Sequence, residues 1–455
     1  MILDAIIVGA GLSGLVCARR LADAGLDVLV IEARARIGGR LHNGRVGDAI
    51  VDLGGQWMSV DQPRLLALAG ELGVASLPQP RAGRAVFDDS GRGDGLFARL
   101  ATMFAQIGAV RRIDKLMQAI PLGDPASVVG AAELDAIALG PWLAGTIHNA
   151  VARERIAMHA ELVFAVDPAG LSLLAYLARL GATGGFAPRG PDLPGGGRDH
   201  RFVGGAQTLA RRLVSGLSGA VQLGTPVAGV RPVGDHLAVH GPEVHHEARH
   251  VVVALPPNLA AKLGLPLSDA TMRFGKAMPR GSVVKCFAAY DRPFWRDAGL
   301  SGEAYRPRGT LRAVVDGSPP GGGSAVLQGF VVGYEAECWH GRDPDDRRRE
   351  VIASFVELFG DQAAAPLDYL EVDWAIDPWS AGCVAATAPG ALTLGTHWRS
   401  PAGGRFHLAG TETAERWPGY MEGAIEAGER AARAVIDDED PPRSERGAGS
   451  GHPFR

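Results

Sequence analysis

The chain lacks any run of about 18 apolar residues, the length a bilayer-spanning helix needs, so no membrane span is expected. It has little cysteine. Its four thiols, Cys17, Cys286, Cys338 and Cys383, are widely spaced and form no CxxC pair. That argues against a zinc ribbon, a thioredoxin-type motif or a disulfide framework, and it fits a reducing compartment. There is no basic surplus: 46 Lys and Arg stand against 50 Asp and Glu, a net charge of −4. A nucleic-acid partner is therefore not expected. Asp4 interrupts the first apolar stretch and glycines follow Val8, so a secretory leader is not expected either, and we read the protein as cytoplasmic. No Ser-His-Asp or Cys-His nucleophile pattern stands out. His240, His245, His246 and His250 lie near Glu243 and Glu247, but between strand-like segments, in a hairpin-like turn. We read them as a solvated polar loop and expect no metal.

What is present is a globular composition, 46% hydrophobic and 21% charged over 455 residues, a length that suggests two domains. Ala5–Val8 reads as a buried strand. The apolar positions Leu15, Ala18, Leu21 and Ala22 then make a helix ending near Gly25, and Val28–Ile31 reads as a second strand. This βαβ opening implies a parallel sheet. Helices are expected at Ala98–Arg111, Ala131–Leu139, Pro141–Met158, Ala206–Leu217, Asp345–Leu358 and Tyr420–Val435. Strands are expected within Val221–His240 and at His250–Leu255, Gly281–Tyr290, Leu311–Val315, Ser324–Val332 and Phe406–Ala409. The Gly- and Pro-rich stretch Gly181–Asp199 should be a long loop, and Asp437–Arg455 a flexible tail.

The first chemical motif is Gly9-Ala10-Gly11-Leu12-Ser13-Gly14, a GxGxxG between strand and helix. Its first glycine permits the tight turn, its second lets the backbone approach a pyrophosphate, and its third lets helix and strand pack closely. Glu32, at the end of the second strand, stands where an acid holds ribose hydroxyls. The motif therefore predicts a bound dinucleotide without choosing between FAD and NAD.

The blocks that follow narrow the choice. Arg34, Gly38-Gly39-Arg40 and Val51-Asp52-Leu53-Gly54-Gly55-Gln56-Trp57 come after the acid. Further on stand Phe202-Val203-Gly204-Gly205-Ala206-Gln207, Ser282-Val283-Val284-Lys285-Cys286 and Pro293-Phe294-Trp295-Arg296. Near the end are Ala409-Gly410-Thr411-Glu412-Thr413-Ala414, Trp417 and Gly419-Tyr420-Met421-Glu422-Gly423-Ala424. Together these resemble the flavin amine oxidase family, in particular the monoamine oxidases. The region 95–180 and the Gly181–Asp199 loop resemble it less.

The resemblance implies FAD as cofactor and a two-domain α/β fold. A Rossmann-like FAD domain would be assembled from residues 1–80, 200–262 and 380–436. A substrate domain with a mixed sheet and helices would come from 81–199 and 263–379. It implies that Gln56 and Trp57 lie near the flavin, with Trp57 also in the substrate pocket. Val227 would lie in a strand and meet the adenine side through its backbone. Gly410, Glu412, Tyr420 and Met421 would close the flavin site.

Lys285 is the main catalytic candidate. Strand alternation puts Val283, Lys285 and Phe287 on one face, and a lysine on an apolar face needs a reason. The resemblance implies a place beside flavin N5, aiding reoxidation. Tyr420 matches one wall of the family's aromatic cage, which flanks the amine. The other wall's tyrosine falls at Val384, a departure that implies a bulkier, secondary or otherwise unusual nitrogen compound. Trp374 and Cys383 match the segment whose cysteine bonds to flavin in monoamine oxidases, which leaves both a thioether and non-covalent FAD open.

The implied activity is oxidation of an amine C–N bond to an imine, with molecular oxygen as acceptor and peroxide as product. An amine or amide intermediate of specialised-metabolite biosynthesis, its iminium trapped internally, is an alternative. Carbon–carbon desaturation and a non-enzymatic FAD-bearing interaction protein are remoter ones. The residue bias toward Ala, Arg and Gly suggests a bacterial source, and a homodimer stays open.

Overall fold

Ala5–Val8 has no polar side chain to leave in water, and the strand Ile2–Val8 goes from exposed to fully buried along its length. It lies in register with Val28–Ile31 on one side and with Val244–Val253 on the other, both parallel. Phe406–Leu408 extends this parallel core, while Gly229–Val233 and His236–Gly241 add antiparallel strands at one edge. Each fully buried Ile or Leu here contributes about 1.5–3 kcal/mol. These coordinates are a computed structural model and describe residues 2–89, 95–185, 198–217, 221–279, 281–319, 322–394 and 404–439.

The helix Leu12–Asp23 covers one face of that sheet and packs on the last helix, Met421–Glu439. Gly428 faces the Ser13 carbonyl so closely that a Cβ would collide with it. The two chain ends are thereby held together over the nucleotide motif.

A second, mostly antiparallel sheet runs in the order Asp368–Asp373, Val283–Tyr290, Ala325–Val332, Ala313–Asp316, Leu300–Tyr305, Arg84–Phe87. Every residue of Val283–Tyr290 is buried. Val284, Cys286 and Ala288 pack with Phe355 and Val351 of the helix Pro344–Phe359. Phe287 and Ala289 pack with Val46, Val51 and Leu53 of a hairpin on the other face. Lys285 shares the side of Phe287. A helical layer, Leu96–Met117, Ala131–Ala136, Leu139–Thr146, Ala150–Phe164 and Leu173–Ala182, has its own apolar core. No helix among the described residues is long and apolar enough to cross a membrane.

Several expectations are corrected. The helix expected over Pro141–Met158 is two helices. Asn149 breaks it by capping the second, its side chain accepting the Ala152 N–H at 2.9 Å. Ala131–Leu139 likewise ends at Ala136, because Ile137 and Ala138 take extended backbone angles. The loop expected from Gly181 starts after the helix Leu173–Ala182, and 186–197 lie outside the described residues. His240, His245 and His246 lie in paired strands joined by a tight turn, with His240 opposite His245, and not in a polar loop. Val227 lies in a connection and not in a strand, and Pro226 before it has no N–H to give a ladder. Asp437–Glu439 belong to the last helix, and 440–455 lie outside the described residues.

Candidate active site

The first strand ends in a turn that only glycine fits. Gly9 has φ +106°, and a Cβ there would press on the Ala254 carbonyl at 3.1 Å. A Cβ on Gly14 would collide with the Gly9 carbonyl. Gly11 instead faces open space, and its backbone leads into the N-terminus of Leu12–Asp23. That end carries no side-chain cap, so its N–H groups stay available to an anion. Glu32 is buried. One carboxylate oxygen accepts the Ala10 N–H at 2.8 Å and the other the Arg34 N–H at 3.0 Å, which ties the acid to the turn. The chemistry and shape of these residues fit the adenosine diphosphate portion of FAD.

This turn opens into a cavity of about 870 Å³. Gly9, Gly11, Ser13, Glu32, Arg34, Gly39, Arg40, Gly54, Gly55, Gln56, Trp57, Val227, Lys285, Trp374, Cys383, Val384, Tyr420 and Met421 line it. The structure thus brings together nearly all residues named from the sequence. Gly14, Gly410 and Glu412 stand behind the wall. Gly410 is pressed against the Leu255 carbonyl. Glu412 forms a fork with Arg40, Nη1–Oε1 2.7 Å and Nη2–Oε2 3.3 Å. Arg40 also donates to the Cys383 carbonyl at 2.9 Å, so this pair holds the Cys383–Val384 segment in place.

Lys285 projects into the centre. Its ammonium donates to the Asp52 carbonyl at 2.8 Å, the Gly54 carbonyl at 2.7 Å and Gln56 Oε1. Three acceptors match its three protons. Burial lowers its pKa, and the nearby Asp52 carboxylate acts against that. Burial raises Asp52, against the Ala206 N–H bond and then the Lys285 charge. Gln56 is itself fixed by an amide pair with Gln328, at 2.9 and 3.1 Å. Trp374 donates its indole N–H to the Leu53 carbonyl at 2.8 Å and so anchors the same loop.

Tyr420 stands edge-on to Trp417, ring centres 5.2 Å apart, and Thr411 holds its carbonyl at 2.8 Å. Val384 lies across Gly419, whose φ is +85°. Burial raises the Cys383 thiol, while Arg40 and then Lys285 lower it. Ala165, Ala381 and Trp417 are the non-glycine residues of positive φ among those described. Ala165 and Trp417 line the cavity, and Ala381 sits beside the Cys383 segment. Backbone strain is concentrated around this site.

Sequence reasoning missed part of the lining. Arg81, Arg155, His159, Arg198, Glu303 and Tyr305 all face the cavity. They come from one helix, Ala150–Phe164, one strand, Leu300–Tyr305, and two connections, and none belongs to a motif. The signal that pointed at them is weak: Arg198 stands just before the Phe202 block.

The comparisons agree with this geometry. The family model for flavin-containing amine oxidoreductases matches residues 12–436. A Mycobacterium tuberculosis protein provisionally named flavin-containing monoamine oxidase AofH is 34% identical, over 95% of this chain and 96% of its own. A putrescine oxidase solved with putrescine bound has a TM-score of 0.90 and 29% identity, covering 96% of this chain and 99% of its own. Cyclohexylamine oxidase from Brevibacterium oxydans IH-35A also has a TM-score of 0.90, at 28% identity, over 96% and 100%. The chain belongs to the flavin-containing amine oxidoreductases and is an FAD-dependent enzyme acting on amines.

Proposed function

We propose that the chain oxidises the C–N bond of a small-molecule amine to an imine, with molecular oxygen as final acceptor and hydrogen peroxide as product. The observation that carries this reading is one continuous cavity. It runs from a phosphate-binding turn at Gly9–Gly14 to a buried lysine and a tyrosine wall. FAD, when bound, would supply the two-electron acceptor for the α-hydrogen and the route of those electrons to oxygen. The chain does the rest. Gly9, Gly11, Ser13, Glu32, Arg34, Gly39, Arg40 and Val227 would hold the nucleotide end. Gly54, Gly55, Gln56, Trp57, Trp374, Gly410, Glu412, Tyr420 and Met421 would hold or back the ring end.

Lys285 places a positive charge in a dry site, where charge builds up as oxygen is reduced. Tyr420 offers an aromatic face that orients the amine and favours developing positive charge on its carbon. Val384 leaves room where a second ring would stand, which supports a bulkier or secondary amine, or an amide. The parallel sheet that carries the Gly9–Gly14 turn would be the core of the FAD domain, and the sheet that carries Lys285 the core of the substrate domain. We place the enzyme in the cytoplasm of a bacterium.

The test is anaerobic. Purified holoenzyme is mixed with primary, secondary and polyamines, amino acids and N-acyl amines while the visible flavin band is followed. Bleaching by one class, reversed by oxygen with release of peroxide, is expected. A flavin that no amine bleaches would overturn the reading.

A further inference from the structure

One wall of the cavity alternates cations with aromatic faces. Arg155 lies 5.7 Å over Phe87, which stacks on Tyr305 at 5.3 Å. The Tyr305 hydroxyl is hydrogen-bonded to Arg198, and Arg198 lies 5.6 Å over Trp57. Trp57 meets Phe330 at 5.9 Å, and Phe330 lies 5.6 Å from the Lys285 ammonium. The row leads from the half-exposed rim at Phe87 to the centre of the site.

The cations of this row are not equivalent. Arg155 is neutralised by Asp89, Nη2–Oδ2 2.5 Å. Lys285 has its three acceptors. The side-chain partners of Arg198 among the described residues are an aromatic face and a phenol, both neutral. Glu303 acts on it electrostatically without closing an ion pair. A guanidinium has five N–H donors, and these partners leave several of them for the cavity. The local field has a clear sign. His159, also in the lining, is held near pKa 4 by burial and then by the Arg198 charge.

We propose that Arg198 is an anchor for an anionic group, so that the substrate is an amine whose skeleton carries a carboxylate. A planar guanidinium backed by Trp57 and steered by Tyr305 suits bidentate carboxylate recognition. It lies close enough to Tyr420 for the two to interact electrostatically. The carboxylate would therefore sit a short chain away from the carbon being oxidised. The inference rests on the amine-oxidising reading for its substrate, but not for its test.

The test measures binding without turnover. Hexanoate and its neutral counterpart hexanamide are titrated calorimetrically into the flavin-loaded enzyme, its Arg198→Met and Arg198→Lys variants, and Glu303→Gln. Hexanoate should bind the parent enzyme more tightly than hexanamide. Arg198→Met should weaken hexanoate at least about tenfold, the loss of one charge-assisted pair. Arg198→Lys should retain part of the affinity, and hexanamide should not respond. Should Arg198→Met not fold, loss in Arg198→Lys together with a fall in hexanoate affinity at high salt carries the same information. Equal binding of the two ligands, or no effect in either variant, overturns the proposal. A third result also overturns it: hexanoate fails to bind while 1,6-diaminohexane binds and is weakened by Glu303→Gln, making Glu303 the anchor of a second ammonium. Hexanoate bound at Arg198 with no amine bleaching the flavin would leave the anchor standing and remove the oxidase reading.

Discussion

The two ends of the cavity are built in opposite ways. At the nucleotide end the wall is backbone: Gly9, Gly11 and Gly39, with Glu32 fixed by two main-chain N–H groups. At the substrate end the wall is side chain: Tyr305, Arg198, Trp57 and His159, drawn from elements far apart in sequence. A backbone site is specified by where a Cβ cannot go. It tolerates little change and reads out as a fixed glycine spacing. A side-chain site is specified by tertiary packing and leaves no fixed spacing in the sequence.

The sharpest break between the ends should come from Gly14. A Cβ there collides with the Gly9 carbonyl, so Gly14→Val should displace the turn that cradles the phosphates. We expect purified protein with essentially no flavin, read as the ratio of visible to ultraviolet absorbance. Retention of full flavin would show that the turn does not carry the cofactor. Changes at the other end, such as Arg198→Lys, should leave that ratio untouched.

Acid should weaken the substrate end and the parallel sheet, by separable amounts. His159 lies at the substrate end and His407 in the parallel sheet, and both are lowered from 6.5 to about 4, mainly by burial. The unfolded chain therefore takes up these protons first. The stability each neutral imidazole contributes is full above about pH 6.5 and is lost as pH falls toward 4. Each loss is on the order of 3 kcal/mol. Urea unfolding at pH 7 and pH 4.5 should show the drop, and His159→Gln should remove one share while keeping that of His407. An unchanged slope in that variant would mean His159 is not the buried neutral group described.

This contrast explains what was legible in the sequence. The Gly9–Gly14 turn, Glu32 and the first two strands could be read because their chemistry is local and each residue type has a steric reason. Lys285 could be read because a charge on an apolar strand face is an anomaly that needs a partner. Even so, its partners, the carbonyls of Asp52 and Gly54, carry no sequence signal, since any residue supplies a carbonyl. The helical layer was legible as helix but not as boundaries: Asn149 ends one helix pattern and starts another with the same apolar spacing. Arg198 and Tyr305 were scarcely legible, because an isolated arginine beside a Gly-rich stretch looks like solvated surface.

Lys285 sits where the two constructions meet, bonded to the loop Asp52–Gln56 from a strand of the second sheet. Lys285→Met keeps the volume and removes the charge. Flavin binding and bleaching by amine should persist, because neither the phosphate turn nor Tyr420 depends on it. Reoxidation by oxygen should slow by roughly 10²-fold, the usual effect of removing one preorganised charge or donor. Stopped-flow mixing of reduced enzyme with oxygen reads it directly, and an unaltered rate would remove Lys285 from that step.

The smallest effect expected is also the most selective. Val384 and Tyr420 both line the cavity, with Val384 on a segment fixed by the Arg40–Glu412 fork. Val384→Tyr adds a ring to the side of the site that lacks one. An added aromatic contact is worth about 0.5–1.5 kcal/mol beyond area. Small arylalkyl amines should therefore gain about threefold to tenfold in kcat/KM. Bulky secondary amines should lose by a similar factor through KM, because the ring takes up their space. Tyr420→Ala should lower kcat/KM for both classes, since it removes the face they share. If Val384→Tyr leaves the ratio between the two classes unchanged, the room beside Val384 is not used by substrate. Selectivity would then have to come from the cation and aromatic wall around Arg198.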